Sequence, residues 1–128
     1  MQRLQTRAQF QAVLAGATVA RTAHFALHRC ELGHSPGVSS APLFAMSGIW
    51  LGAMVPKRWA RRAVTRNTIK RQIYNVSIEP QVTLPPAAHV GRLRATFDRK
   101  VFVSARSDVL KAAVRAELQQ LFAKAASR

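Results

Sequence analysis

The stretch Pro56-Lys57-Arg58-Trp59-Ala60-Arg61-Arg62-Ala63-Val64-Thr65-Arg66-Asn67-Thr68-Ile69-Lys70-Arg71 decides how the rest of the chain is read. Seven of its sixteen residues are Lys or Arg, and none is acidic. Residues 57–74 are polar, basic and free of Gly and Pro, and Ile69, Ile73 and Val76 recur at i, i+4, i+7. That spacing predicts a helix with one apolar stripe. It sets Arg66 above Lys70 and Asn67 above Arg71 in adjacent rows. One arc is pinned to a core while another turns its cations outward. Like charges at i, i+4 weaken an isolated helix by about 0.2–0.5 kcal/mol per pair, a small cost that a ligand would offset. A merely solvated face would interleave Glu or Asp with its cations, and this one does not. Asn67 adds a donor and an acceptor suited to base edges or 2′-hydroxyls, or to bracing a neighbouring loop.

Working upstream, Thr6 and Gln9 form a T-x-x-Q capping box that opens a short first helix, with Gly16 as its stop. Residues 24–29 alternate, with Phe25 and Leu27 on one face and His24, Ala26 and His28 on the other, the period of a strand. Residues 33–42 are rich in Gly, Ser and Pro and read as a loop. Residues 43–46 and 49–55 are apolar runs, read as two buried strands or one bulged strand. Downstream, residues 79–91 carry Pro80, Pro85 and Pro86 and read as a loop. Residues 100–105, with Val101, Phe102 and Val103, read as a buried strand. Ser107 can cap a last helix, with Asp108 in its first turn, Leu110, Val114, Leu118, Leu121 and Phe122 as its core stripe, and Lys124 and Arg128 at its end. Helix, strands, helix, strand, helix describes a small α+β sandwich.

The length, 128 residues, suits a single domain spanning 1–128. A hydrophobic share of 48% is that of a globular core and too high for a disordered basic tail. The net charge of +15 repels itself, so a folded chain tolerates it best beside a polyanion. Nucleic acid leads, because each neutralised phosphate releases counterions; an anionic membrane surface is the other partner to weigh. The cations are 15 Arg and 5 Lys, and the Arg fork grips phosphate bidentately and stacks on bases. GC-rich coding would also favour Arg over Lys.

Several classes fall away. Cys30 is the lone cysteine, which excludes an internal disulfide framework and a cysteine-built metal site and fits a reducing cytosol. Residues 1–14 show no apolar secretory core. Residues 32–56 carry no charge, but their most apolar part, 41–55, is shorter than the roughly 20 residues a spanning helix needs. His24, His28, His34 and His89 lack carboxylate companions, and His24 and His28 sit about 13 Å apart at strand rise, too far to share an ion. Five scattered carboxylates offer no pair for two-metal phosphodiester cleavage, so the chain alone is expected to be a poor nuclease with no catalytic residue. Trp50 reads as core; Trp59, among arginines, either reaches a ligand or staples the helix start.

The run from Lys57 to Arg71 resembles the signature of the bacterial ribonuclease P protein subunit: a paired basic dipeptide, R-R-A, then R-N-x-x-K-R. Arg3-Leu4, Arg7 and Phe10 are similar to that family's R-L-x-x-R-x-x-F opening, and residues 101–106 with the final helix resemble its last strand and C-terminal helix. The resemblance implies an αβββαβα fold with a left-handed βαβ crossover, an exception to the usual hand. It implies a partner, the catalytic RNA subunit, and a substrate, precursor tRNA, whose 5′ leader the complex removes in the cytoplasm. Mg²⁺ is implied as the cofactor, bound mainly through the RNA. By the same resemblance Lys57, Arg58, Arg61, Arg62, Arg66, Asn67, Lys70 and Arg71 face RNA, while Phe10, Leu14 and His28 line a cleft for the leader. The chain departs from the pattern at Thr68 and Tyr74, where the family often carries Arg, and at Leu14 and His28, where it often carries aromatics. A structural RNA-binding protein of ribosomal type would explain the charge but not the motif order. A helix-turn-helix DNA regulator lacks a second helix just upstream.

Overall fold

The structure, a computed structural model, describes residues 2–31, 48–97 and 108–126. In chain order the elements are β1 (Gln2–Arg3), α1 (Arg7–Leu14), β2 (Ala17–Arg21), β3 (Phe25–Cys30), β4 (Trp50–Met54), α2 (Ala63–Ser77), β5 (Ala88–Leu93) and α3 (Asp108–Ala126). They form one five-stranded mixed sheet in the order β1-β4-β5-β3-β2. β4 and β5 run parallel, joined by the crossover helix α2, whereas β5, β3 and β2 pair antiparallel. This is the α+β architecture expected, with the two-residue β1 added at the edge.

Strand alternation sorts the core into two layers. Phe25 and Leu27 of β3, Leu51 and Ala53 of β4 and Leu93 of β5 are buried with Ile69, Ile73 and Val76 of α2. The expected α3 stripe of Leu110, Val114, Leu118, Leu121 and Phe122 joins the same cluster. Trp50, Ala88 and Val90 face the other way, against Leu4 and α1's Val13, with Phe10 and Leu14 at the margin. Trp50 is core, as expected. Each fully buried Ile or Val of the α2 stripe contributes about 2 kcal/mol, which anchors the helix.

α1 starts as its capping box requires. The Thr6 hydroxyl accepts the Gln9 N–H, and the Gln9 side-chain oxygen accepts from the Gln5 and Thr6 amides at 2.7 and 3.1 Å. Gly16 is needed for close approach, since a Cβ there would lie 2.4 Å from the Arg29 carbonyl oxygen.

Three expectations need correction. The basic helix begins at Ala63 rather than Lys57. The Pro56 carbonyl accepts the Trp59 and Ala60 amides, so the chain first makes a tight turn, and Arg62 is extended at φ −82°, ψ 134°. Residues 79–91 are not all loop, because β5 occupies Ala88–Leu93. All three prolines precede Ala88, and β3 and β4 supply hydrogen-bonding partners on both sides. Residues 17–21, not read as a strand, form β2 against β3. The expected strands at 43–46 and 100–105, the 33–42 loop and the Ser107 cap lie outside the described residues.

Candidate nucleic-acid interface

Burial of Ile69, Ile73 and Val76 against the sheet sets which side of α2 faces out. Asn67, Lys70 and Arg71 lie on the exposed side, and Lys57, Arg58, Arg61 and Arg62 are exposed along the turn that precedes the helix. The arc is therefore a turn followed by a helix. The first turn of α2 has no acidic residue and no side-chain cap, so the helix's positive end adds to the cationic field.

Arg66 differs from the others. It is half-buried, and its Nη1 donates to the carbonyls of Ala60 and Arg61 at 3.1 and 2.8 Å, bracing the turn against the helix. Thr68 lies on the buried side and its hydroxyl donates to the Val64 carbonyl at 2.9 Å, so this position belongs to the packed face of the helix. Tyr74 is also structural: its hydroxyl accepts the Ala53 N–H at 3.2 Å, and the Arg3 guanidinium lies 4.0 Å over its ring. Trp59 packs against the core with Arg58 above its ring at 5.2 Å, the staple reading of that residue.

The ion pairs among the described residues lie elsewhere: Glu117 with His24, and Glu79 with Arg115. The Gln119 amide and the Arg115 guanidinium hold the Glu79 carboxyl below the usual carboxylate range. Neither pair draws on residues 57–71. Among the described residues no three His, Cys, Asp or Glu side chains gather in a metal-holding group, and no helix is long and apolar enough to cross a membrane.

On the opposite face, Phe10 and Leu14 pack against the cluster that holds Val90, and His28 lies opposite Val90 on the same side of the sheet. Phe10 covers Gly52, where an added Cβ would sit 2.6 Å from its ring, and Gly52 shares a cross-strand row with Val90 and His28. His28 is 7% exposed and does not present a ring face. Arg92 Nε–H donates to His28 Nε2 at 3.1 Å, so the ring proton sits on Nδ1 and goes to the Thr18 hydroxyl oxygen at 3.2 Å. Burial lowers the His28 pKa, with Arg92 and Arg21 adding to the effect. Sequence reading missed Thr18, Arg21 and Arg92. For Arg92 the signal was the alternation Ala88-His89-Val90-Gly91-Arg92-Leu93, masked by the prolines before it.

One mixed sheet with a short helix on one face, two longer helices on the other and an acid-free, cationic crossover helix defines a small basic α+β protein. Comparison with known proteins gives the particular family. The family Ribonuclease P matches residues 1–126, and the chain belongs to it. Its members are protein components of the ribonucleoprotein endoribonuclease that acts in tRNA processing. A Bordetella petrii relative, a "Ribonuclease P protein component", is 34% identical over 122 residues, covering 95% of this chain and 89% of its own. The Staphylococcus aureus RNase P protein superposes with a TM-score of 0.66 at 19% identity, covering 94% of this chain and 92% of its own. The Thermotoga maritima RNase P protein gives 0.63 at 20% identity, covering 95% and 96%. At that identity the two structures speak to the fold alone. Nothing in these comparisons favours the ribosomal-type alternative.

Proposed function

We propose that this chain is the protein subunit that binds the catalytic RNA of ribonuclease P and the 5′ leader of precursor tRNA, promoting endonucleolytic maturation of the tRNA 5′ end. The observation that carries the reading is the acid-free arc of residues 57–71, rigidly anchored through Ile69, Ile73 and Val76. In this reading Lys57, Arg58, Arg61, Arg62, Asn67, Lys70 and Arg71 contact RNA directly, and Arg66 contacts it while shaping the turn. Phe10, Leu14 and His28 border the leader's cleft.

The chemistry assigned to the protein is electrostatic and positional. Cations on a rigid arc relieve phosphate repulsion where two RNA molecules meet, and each phosphate neutralised releases counterions. Holding the leader extended fixes the scissile phosphate relative to the RNA's active centre. Mg²⁺, the ion expected for the cleavage, would be bound mainly through the RNA. The reading includes a cytoplasmic location, in keeping with the lone cysteine Cys30.

Reconstitution tests it. The full chain, added to a matching catalytic RNA at low Mg²⁺, should restore removal of the 5′ leader from precursor tRNA where the RNA alone is slow. An unchanged rate and Mg²⁺ requirement would refute the assignment.

A further inference from the structure

We propose that the His24 imidazole, stacked on Phe97 and flanked by Arg94, is a landing platform for an unpaired nucleotide of the catalytic RNA, with its base on the ring and its phosphate on the guanidinium. The inference deepens the function proposed above and rests on it.

The turn between β2 and β3 is bound from two distant segments. Just past β5, the Arg94 amide donates to the His24 carbonyl at 2.7 Å. Arg94 Nη1 donates to the Thr22 and Ala23 carbonyls at 2.8 and 3.1 Å. From α3, Glu117 accepts the Thr22 hydroxyl and the His24 backbone N–H, and its Oε1 meets His24 Nδ1. The imidazole is thereby held by one face and one edge. Phe97 covers the face, with centroids 4.0 Å apart and 11° between the planes, and Glu117 takes the Nδ1 edge. Phe97 leans in turn on Phe25 of the core, at 6.0 Å. With that face and edge taken, the 28% of the His24 side chain that stays exposed is offered by the other ring face and the Nε2 edge.

A ring packed on one face and open on the other accepts a stacked base of any identity. Arg94 supplies the second half of a nucleotide site. Its Nη1 is engaged by the two carbonyls, which orients the guanidinium. The Nε–H and Nη2 edge makes no bond among the described residues, and it is an edge that forks a phosphate. Arg94 is exposed and belongs to neither ion pair among the described residues. Glu117, the carboxylate at this turn, is 14% exposed, and its oxygens are occupied inside the protein. Lys124, bonded to the Arg21 carbonyl at 3.0 Å, adds a further cation beside the turn.

Position selects the RNA. β4 and β5 are parallel with Met54 opposite Arg92, so both strands leave the sheet at the same end. β4 runs out into Pro56 and the basic arc, and β5 runs out into Arg94. The platform therefore extends the surface assigned to the catalytic RNA. It stands apart from the leader's cleft, because Phe25 and α3 pack in one layer of the core while Phe10 and Leu14 pack against the other. In this arrangement His24 and Arg94 are contact residues, and Phe97 and Glu117 are positioning residues.

The test titrates the full chain against its catalytic RNA, with melting temperatures measured beside each affinity. Two variants disturb the turn differently: His24→Phe drops the donor to Glu117, and His24→Asn drops the ring. Affinity should follow the ring, staying close to the parent in His24→Phe and falling about tenfold in His24→Asn. A merely structural histidine would make affinity follow the melting temperature instead. Arg94→Gln should lower the salt slope of binding by about 0.7 to 0.9, the share of one phosphate. Parental affinity in His24→Asn, equal losses in the two His24 variants, or an unchanged slope in Arg94→Gln would overturn the proposal. So would a loss confined to precursor tRNA binding by the assembled complex, which would assign the nucleotide to that molecule. A parent chain that fails to bind the catalytic RNA would refute the proposed function itself.

Discussion

Glu117 of α3 closes the turn between β2 and β3 by holding His24, 93 residues earlier in the chain. Its Oε1 lies 2.7 Å from His24 Nδ1, and its Oε2 accepts the His24 backbone N–H at 2.7 Å and the Thr22 hydroxyl. The same imidazole stacks on Phe97 at 4.0 Å with an 11° interplanar angle. Lys124 adds a bond to the Arg21 carbonyl at 3.0 Å. One carboxylate thus ties the hairpin to the C-terminal helix, which makes α3 part of the frame that holds β2 in place.

Glu117→Ala removes that tie and strands three donors. The expected loss is about 2 kcal/mol of stability, read as a lower urea midpoint at unchanged m-value. A midpoint equal to the parent's would show that the carboxylate is structurally idle.

His89 should make stability depend on pH. It is fully buried in β5, donates Nδ1–H to the Trp50 carbonyl at 3.2 Å and accepts Arg29 Nε–H at 3.0 Å. Burial pushes its pKa down to about 4, from an unfolded value of 6.5. Between those values the unfolded chain binds more protons than the folded one, so stability is full above pH 6.5 and falls as pH drops towards 4. The full drop is on the order of 3 kcal/mol. His28, also lowered, acts in the same direction. His89→Gln should flatten the dependence measured by denaturation at pH 7 and pH 5. A slope as steep as the parent's would place the effect elsewhere.

Arg66 and Lys70 should separate. Lys70 is exposed on a well-anchored helix, so Lys70→Ala should leave the melting temperature unchanged while weakening binding of the catalytic RNA and lowering its salt slope. Arg66→Ala should also lower stability, by about 1 kcal/mol, because the Ala60 and Arg61 carbonyls lose their shared donor. Calorimetry beside salt-dependent binding distinguishes them; identical profiles would contradict the bracing role of Arg66.

Gly52→Ala should disturb α1. The new methyl would fall 2.6 Å from Phe10 Cε1 and 2.8 Å from Leu4 Cδ1, so both side chains must move. The expected cost is about 1–3 kcal/mol, with the Phe10 ring displaced. At Gly91 the nearest atom would be Ile73 Cγ2 at 3.2 Å, so Gly91→Ala should cost less. Thermal melts of the two variants check the order.

Local patterns carried much of this architecture. Thr6 and Gln9 announce α1, the Ile69, Ile73, Val76 stripe announces α2, and the α3 stripe reads directly, because a helix buries one periodic face whatever lies beneath it. The strands were less visible. β2 is Ala17-Thr18-Val19-Ala20-Arg21, small and weakly patterned, and it exists because β3 supplies its hydrogen-bonding partners. β5 was hidden by prolines that end just before it.

The amino-acid sequence by itself determined that this chain carries an unneutralised cationic arc on an amphipathic helix, since charge and 3.6-residue periodicity are properties of neighbouring residues. Tertiary structure decided which cations are free to meet a ligand and which are engaged internally, as Arg66 and Arg29 partly are. It also decided that Thr18, Arg21, His28 and Arg92 share one face. Those positions come from three strands and depend on a bulge and a register, and hydrogen bonds between distant segments leave no period in the sequence that specifies them.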